Sequence, residues 1–168
     1  MVVADTSPLN YLVLIEQIDL LPQLYGRVLI PESVLDELSA VETPQLVRDW
    51  VTNLPEWIEV SPATPINDAG LTRLHAGERD AISLALTVHA DAVLLDERHG
   101  RKEAENRGLK PIGTLGVLVA AYERGLIDLS ATIDALRQTS FHASPKLLAS
   151  IVNRSLFPRK SDSAEELS

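Results

Sequence analysis

The sequence predicts an α/β fold, a parallel sheet covered by helices on both faces, with further helices towards the C-terminus. Three observations carry that expectation. Short apolar runs of strand length alternate with longer segments of helical period, the pattern of parallel strands joined by crossovers. The runs stop at Asp5, Pro31 and Asp96, residues that turn a chain into a loop or a helix start. No internal repeat or linker divides the 168 residues, a length that buries a substantial core without disulfides.

In order, Val2-Val3-Ala4 is the first strand. Asp5, Thr6 and Ser7 form a polar turn, and Pro8 suits the first position of a helix whose apolar residues are Leu9, Leu12, Val13 and Ile15. Leu20 to Tyr25 is a short helix stopped by Gly26, and Arg27 to Ile30 is the second strand, closed by Pro31. The next helix, from Pro31 to Ala40, turns Val34, Leu35, Leu38 and Val41 inward at 100° per residue. Pro44 to Asn53 reads as a helix with Leu46 and Trp50 inward. Trp57 to Val60 is an edge strand, and Ser61 to Asp68 a loop. A central helix spans Glu78 to His89, and the strand Ala92 to Leu95 follows the Asp91 corner. A polar helix from Lys102 to Arg107 and a short strand, Leu109 to Ile112, come next. Thr114 to Arg124 is an apolar helix, read as core, with a dimer interface as its alternative. Leu129 to Thr139 and Pro145 to Leu156 are the last two helices. Residues 158–168 read as a polar, flexible tail.

Composition excludes several function classes. There is no cysteine, hence no disulfide, thiolate zinc site or cysteine nucleophile. The net charge of −9 argues against a general polyanion-binding surface, so contact with nucleic acid must be local or assisted by cations. The first residues are too short and too uncharged a run for a signal peptide. No apolar stretch approaches the roughly 20 residues of a membrane span, and a cytoplasmic protein is expected.

The acids stand at element ends, where an open α/β sheet builds its sites. Asp5 follows the first strand, and Ser7 already supplies a cap there. Glu37 lies on the inward flank of its helix. Glu78 falls near the centre of the apolar face set by Ala81, Ile82 and Ala85, while Asp80 lies about 200° round from it. An inward carboxylate is costly unless paired or bound to a cation, so Glu78 is the site candidate. Asp80 is the partner of the helix dipole. Asp96 follows Val93-Leu94-Leu95, and Glu97, next to it, is expected to face elsewhere. Four carboxylates from four segments at one sheet end are an oxygen donor set for Mg²⁺ or Mn²⁺. Arg98 and Arg101 flank that edge and are candidate phosphate holders; His99 reads as a surface residue. An aspartyl-nucleophile phosphatase is disfavoured, because Ser7 stands where its general acid belongs.

Asp5-Thr6-Ser7, Glu37 in a Val-x-x-Glu-Leu setting, Gly77-Glu78 with Ala81-Ile82, and Asp96-Glu97-Arg98-x-Gly100-Arg101 resemble the PIN domain. That family includes metal-dependent ribonucleases, among them toxins of prokaryotic toxin–antitoxin pairs. The resemblance runs from about Val2 to Gly125. It implies a PIN-like domain over residues 1–126 with a sheet of four or five parallel strands, and a helical extension of that domain over 127–157. It also implies catalytic acids at Asp5, Glu37, Glu78 (or Asp80) and Asp96, with metal on Asp5, Glu78 and Asp96. Thr6 or Ser7 would hold the first aspartate or a water, with Asp80 and Glu97 supporting. RNA as substrate, an antitoxin protein and a homodimer are the partners implied. The chain departs from the family at Leu94 and Leu95, where many members carry threonine or serine.

Overall fold

Apolar strands and amphipathic helices alternate along residues 1–156, the part of the chain that the computed structural model describes. In order they are β1 (Val2–Ala4), α1 (Thr6–Leu14), α2 (Leu20–Tyr25), β2 (Val28–Pro31), α3 (Glu32–Ser39), α4 (Gln45–Val51), β3 (Ile58–Ser61), α5 (Ala76–Thr87), β4 (Ala92–Leu94), α6 (Arg98–Asn106), β5 (Pro111–Ile112), α7 (Thr114–Glu123), α8 (Leu129–Arg137) and α9 (Pro145–Leu156). The five strands form one sheet in the order β3-β2-β1-β4-β5, with every neighbouring pair parallel. The expected α/β architecture is the one observed.

Strand pleating divides the core. Val2, Ala4, Ile30 and Leu94 point to one face, into an apolar cluster with Leu9 and Leu12 of α1, Leu38 of α3 and Leu118 of α7. Ile133 of α8 and Ile151 of α9 join the same cluster. Val3, Leu29 and Val93 point the other way, against Ala81, Ile82 and Ala85 of α5 and Ala104 of α6. Both faces being covered explains why the central strands read as unbroken apolar runs.

β1 pairs with β2 on one side and β4 on the other, so the strand order reverses direction between β1 and β4. Their register, Ala4 opposite Leu94, brings the chain ends after both strands side by side. Asp5 N–H donates to Leu94 O at 3.0 Å, extending the pairing one step past β1. A topological switch of this kind opens a crevice at the carboxyl edge of the sheet.

Five expectations need correction. α1 begins at Thr6 with Asp5 at its N-cap position and no side-chain cap, so Ser7 lies within the helix and Pro8 is its third residue. Val41 is 76% exposed, because Ala40 is already extended (ψ 151°) and the helical angle no longer applies beyond Ser39. In α4, Val47 rather than Leu46 is the buried residue; Leu46 stays half exposed. α5 begins at Ala76, two residues earlier than expected, and a 3₁₀ turn at Leu71–Arg73 precedes it. α6 begins at Arg98 rather than Lys102, its polar sequence giving no apolar period to mark the start. The expected tail, 158–168, lies outside the described residues. Among those residues no helix is long and apolar enough to cross a membrane.

The corrected facing gives a direct test. Leu38→Ala, at a fully buried position, is expected to cost about 2–5 kcal/mol in urea denaturation. Leu46→Ala is expected to stay within about 0.5 kcal/mol of the parent. Comparable losses at both positions would contradict the packing of α3 and α4.

Candidate active site

Asp5 ends β1 and precedes α1, so the sheet fixes its backbone and the helix start fixes its direction. Its side chain does not cap α1. The carboxylate is buried, and Oδ1 has no hydrogen-bond partner among the described residues. Glu37 reaches towards it from the last turn of α3. Thr6 Oγ1 donates to Glu37 Oε2, and Gly77 N–H donates to Glu37 Oε1 at 2.9 Å. Thr6 therefore holds Glu37, not the first aspartate.

Glu78 is the third residue of α5 and is 5% exposed, on the inward side as its helical angle predicts. Its Oε2 accepts the His75 N–H at 3.3 Å, while Oε1 is buried and unpartnered. Asp80, now the fifth helical residue, accepts from Arg79 Nε at 3.0 Å and does not line the acidic cleft. Asp96 lies two residues past β4. Both its oxygens are engaged by Thr114 at the start of α7, Oδ1 by the N–H and Oδ2 by the hydroxyl, each at 2.7 Å.

Asp5, Thr6, Ser7, Glu37, His75, Glu78 and Glu97 line one cleft of about 290 Å³. Glu97 thus faces the acids, contrary to expectation, because the backbone turns into α6 immediately after it and strand alternation no longer holds. Asp96, Arg98 and Arg101 line a second, adjoining cleft together with Lys110. The two clefts meet electrostatically, since the charge of Asp96 acts on Asp5.

Three helix starts come so close to the acids and Arg101 that an added Cβ would force a neighbouring side chain to shift. A Cβ on Gly77 would lie 2.6 Å from Glu37 Oε2 and 2.8 Å from Asp5 Oδ1. One on Gly100 would lie 2.8 Å from Glu78 Oε1, and one on Gly113 would lie 2.6 Å from Arg101 Nη1 and 3.1 Å from Asp96 Oδ1. Glycine in the Gly77-Glu78 and Arg98-x-Gly100-Arg101 motifs is explained by this crowding.

Burial pushes the Asp5 carboxyl up from its ordinary 3.8 to about 7; the charges of Glu78, Glu37 and Asp96 push the same way, and the Thr6 N–H opposes. Burial also raises Glu78, against the His75 N–H. Asp96 is raised by burial and partly relieved by Thr114. The site concentrates carboxylates at a cost.

Sequence reasoning missed Thr114, Lys110 and His75. The signal for Thr114 was present: Gly113-Thr114 ends β5 as Asp5-Thr6 ends β1, and it supplies the hydroxyl that Leu94 and Leu95 cannot.

A family model described as the PIN domain matches residues 1–155. The chain belongs to the PIN-domain family. No curated protein and no solved structure matches it. PIN domains are nuclease-type folds that typically use divalent metal ions, which makes the fit of this PIN domain to such an ion a question for its own residues. Among the described residues no three histidine, aspartate or glutamate side chains make a ready ligand group. A hard cation does not need one: Mg²⁺ keeps several waters and uses one or two carboxylates with substrate phosphate. Asp5 Oδ1 and Glu78 Oε1, buried and unpartnered, are oxygens of the right chemistry. The donor set fits.

The pH response follows from Asp5. With its folded pKa raised, the carboxyl favours the folded state while protonated, fully so below about pH 4, and the advantage is lost as pH rises through 7. In EDTA the melting temperature of the protein is expected to fall between about pH 4 and pH 7, and Asp5→Asn to flatten that fall. An unchanged slope in the variant would remove Asp5 as its source.

Proposed function

We propose that this PIN domain is a metal-dependent ribonuclease that hydrolyses phosphodiesters of RNA. The observation that carries the reading is Asp5, a buried carboxylate with a free oxygen and a raised pKa, set among Glu37, Glu78 and Asp96 at the sheet's switch point. Asp5, Glu78 and Asp96 would hold Mg²⁺ or Mn²⁺. When bound, the cation supplies positive charge that stabilises the transferring phosphate and activates water.

The chain's own residues prepare that site. Thr6 and the Gly77 N–H pin Glu37, which keeps its charge directed at the cleft. Thr114 fixes Asp96 through both oxygens. Arg98 and Arg101 hold the flanking phosphates of the strand, positioning rather than reading sequence. The family resemblance also supports a wider setting, a cytoplasmic toxin silenced by an antitoxin and working as a homodimer. The domain limits proposed with it are 1–126 for the catalytic unit and 127–157 for its helical extension.

A second reading, a PIN-like binding module without activity, is favoured by two observations. No ready three-ligand group is found among the described residues, and Thr114 engages both oxygens of Asp96. The two readings differ in their response to metal.

Asp5→Asn and Asp96→Asn are each expected to lower Mn²⁺-dependent RNA cleavage at least about 10–100-fold, the loss typical even of residues behind the ligands. Parent-like cleavage by both variants would sink the ribonuclease assignment. Mn²⁺ is expected to raise the melting temperature of the parent but not of Asp5→Asn; no rise in the parent supports the module. Gly77→Ala is expected to cost about 1–3 kcal/mol through the displaced Glu37 and Asp5 and to abolish the Mn²⁺ response. A stable, metal-responsive Gly77→Ala protein would refute the crowding argument.

A further inference from the structure

Asp5, Glu37, Glu78 and Glu97 line the smaller of the two clefts, and Asp96 lines the other. The larger, of about 700 Å³, opens on the other side of Asp96. That volume is in the range of pockets that enclose small organic ligands, roughly 300–1,000 Å³. Its lining has two chemically distinct parts. Beside Asp96 stand Arg98, Arg101 and Lys110, none of them in an ion pair among the described residues. In a chain of net charge −9, three cations on one rim reverse the local field. Most of the remaining wall is apolar, with Ile112 of β5, Leu115 of α7, Phe141, and Leu147 and Ile151 of α9, beside Tyr25 and His142. Phe141 is steadied edge-on by Tyr11, with ring centroids 5.0 Å apart at 87°.

Cations at the mouth and an apolar, partly aromatic interior match the two halves of a nucleotide. We propose that this groove receives the base and phosphate of a nucleotide next to the scissile bond of a single-stranded RNA, so that α9 and the segment before it help choose where the strand is cut. The inference rests on the ribonuclease reading and adds a subsite to it. Continuity with the acidic cleft supports this occupant: Asp96 lines the groove while Glu97, the next residue in the chain, lines the acidic cleft, so the two clefts adjoin and one strand can lie across both. Single strands can splay a base into such a wall, whereas a duplex keeps its bases stacked and paired.

Leu147 is 47% exposed, so Leu147→Glu is expected to fold with the parent's melting temperature. Binding is read by fluorescence anisotropy with a labelled single-stranded RNA, in EDTA and in the Asp5→Asn background. Cleavage sites are mapped with Mn²⁺ in the otherwise unaltered protein. Leu147→Glu is expected to weaken RNA binding about tenfold and to shift the cleavage pattern. A single abasic position beside the cut site is expected to cost the parent a similar factor. If Leu147→Glu and the abasic strand bind and are cut as the parent system is, the groove proposal fails and the ribonuclease reading stands. If binding depends on Leu147 but no Mn²⁺-dependent cleavage is found, the ribonuclease reading fails and the groove stands as a nucleotide site. An acidic peptide that fills the groove without competition from RNA overturns the proposal in favour of a protein partner.

Discussion

The pairing of β1 with β4 is the constraint on which the site depends. It carries one residue past the end of β1, where the Asp5 N–H meets Leu94 O, and so forces a carboxylate into the crevice between two strands. Every neighbour then inherits the problem of negative charge at low dielectric. Glu37 is met by a hydroxyl and a backbone N–H, and Asp96 by Thr114, while Asp5 and Glu78 each keep one oxygen without a partner.

Helix starts give the second layer of support. α1, α6 and α7 begin at this edge directly after β1, β4 and β5, and α5 reaches it at the end of the long loop that follows β3. Their exposed N–H groups and positive dipole ends face the acids and moderate the repulsion. Two of those N–H groups, from Gly77 and Thr114, bond directly to carboxylates. The fold thus concentrates negative side chains where its backbone is most positive.

Much of this was legible in the sequence, and the exceptions have physical reasons. Strand–helix alternation gave the parallel sheet, because strands buried on both faces must be apolar throughout. The choice of Glu78 over Asp80 followed from helical angle alone, since Ala81, Ile82 and Ala85 define the inward face whatever the exact start of α5. That start lies two residues earlier than the apolar face shows, because the first turn of α5 carries Gly77, whose missing side chain lets the helix approach Glu37 and Asp5. α6 starts early for another reason, its polar sequence carrying no apolar period. Thr114 carried a local signal, but its partner was hidden: Asp96 is 18 residues away in sequence, and the β4–β5 pairing brings the two together. Leu46 and Val47 show the limit of periodicity in a seven-residue helix, where a one-residue phase error turns the assigned face by about 100°.

The glycines divide into two kinds with different bearing on how relatives of this chain are read. Gly26, Gly108 and Gly125 hold positive φ with open space around them, so they matter for the turn and not for the chemistry. Gly77 and Gly100 are helical, with no demand on φ, and are crowded only by carboxylate oxygens. A natural relative that keeps all four acids but carries a side chain at either position has its acids displaced from this arrangement. Two uncharged positions therefore bear on the placement of the acids as directly as the acidic positions do.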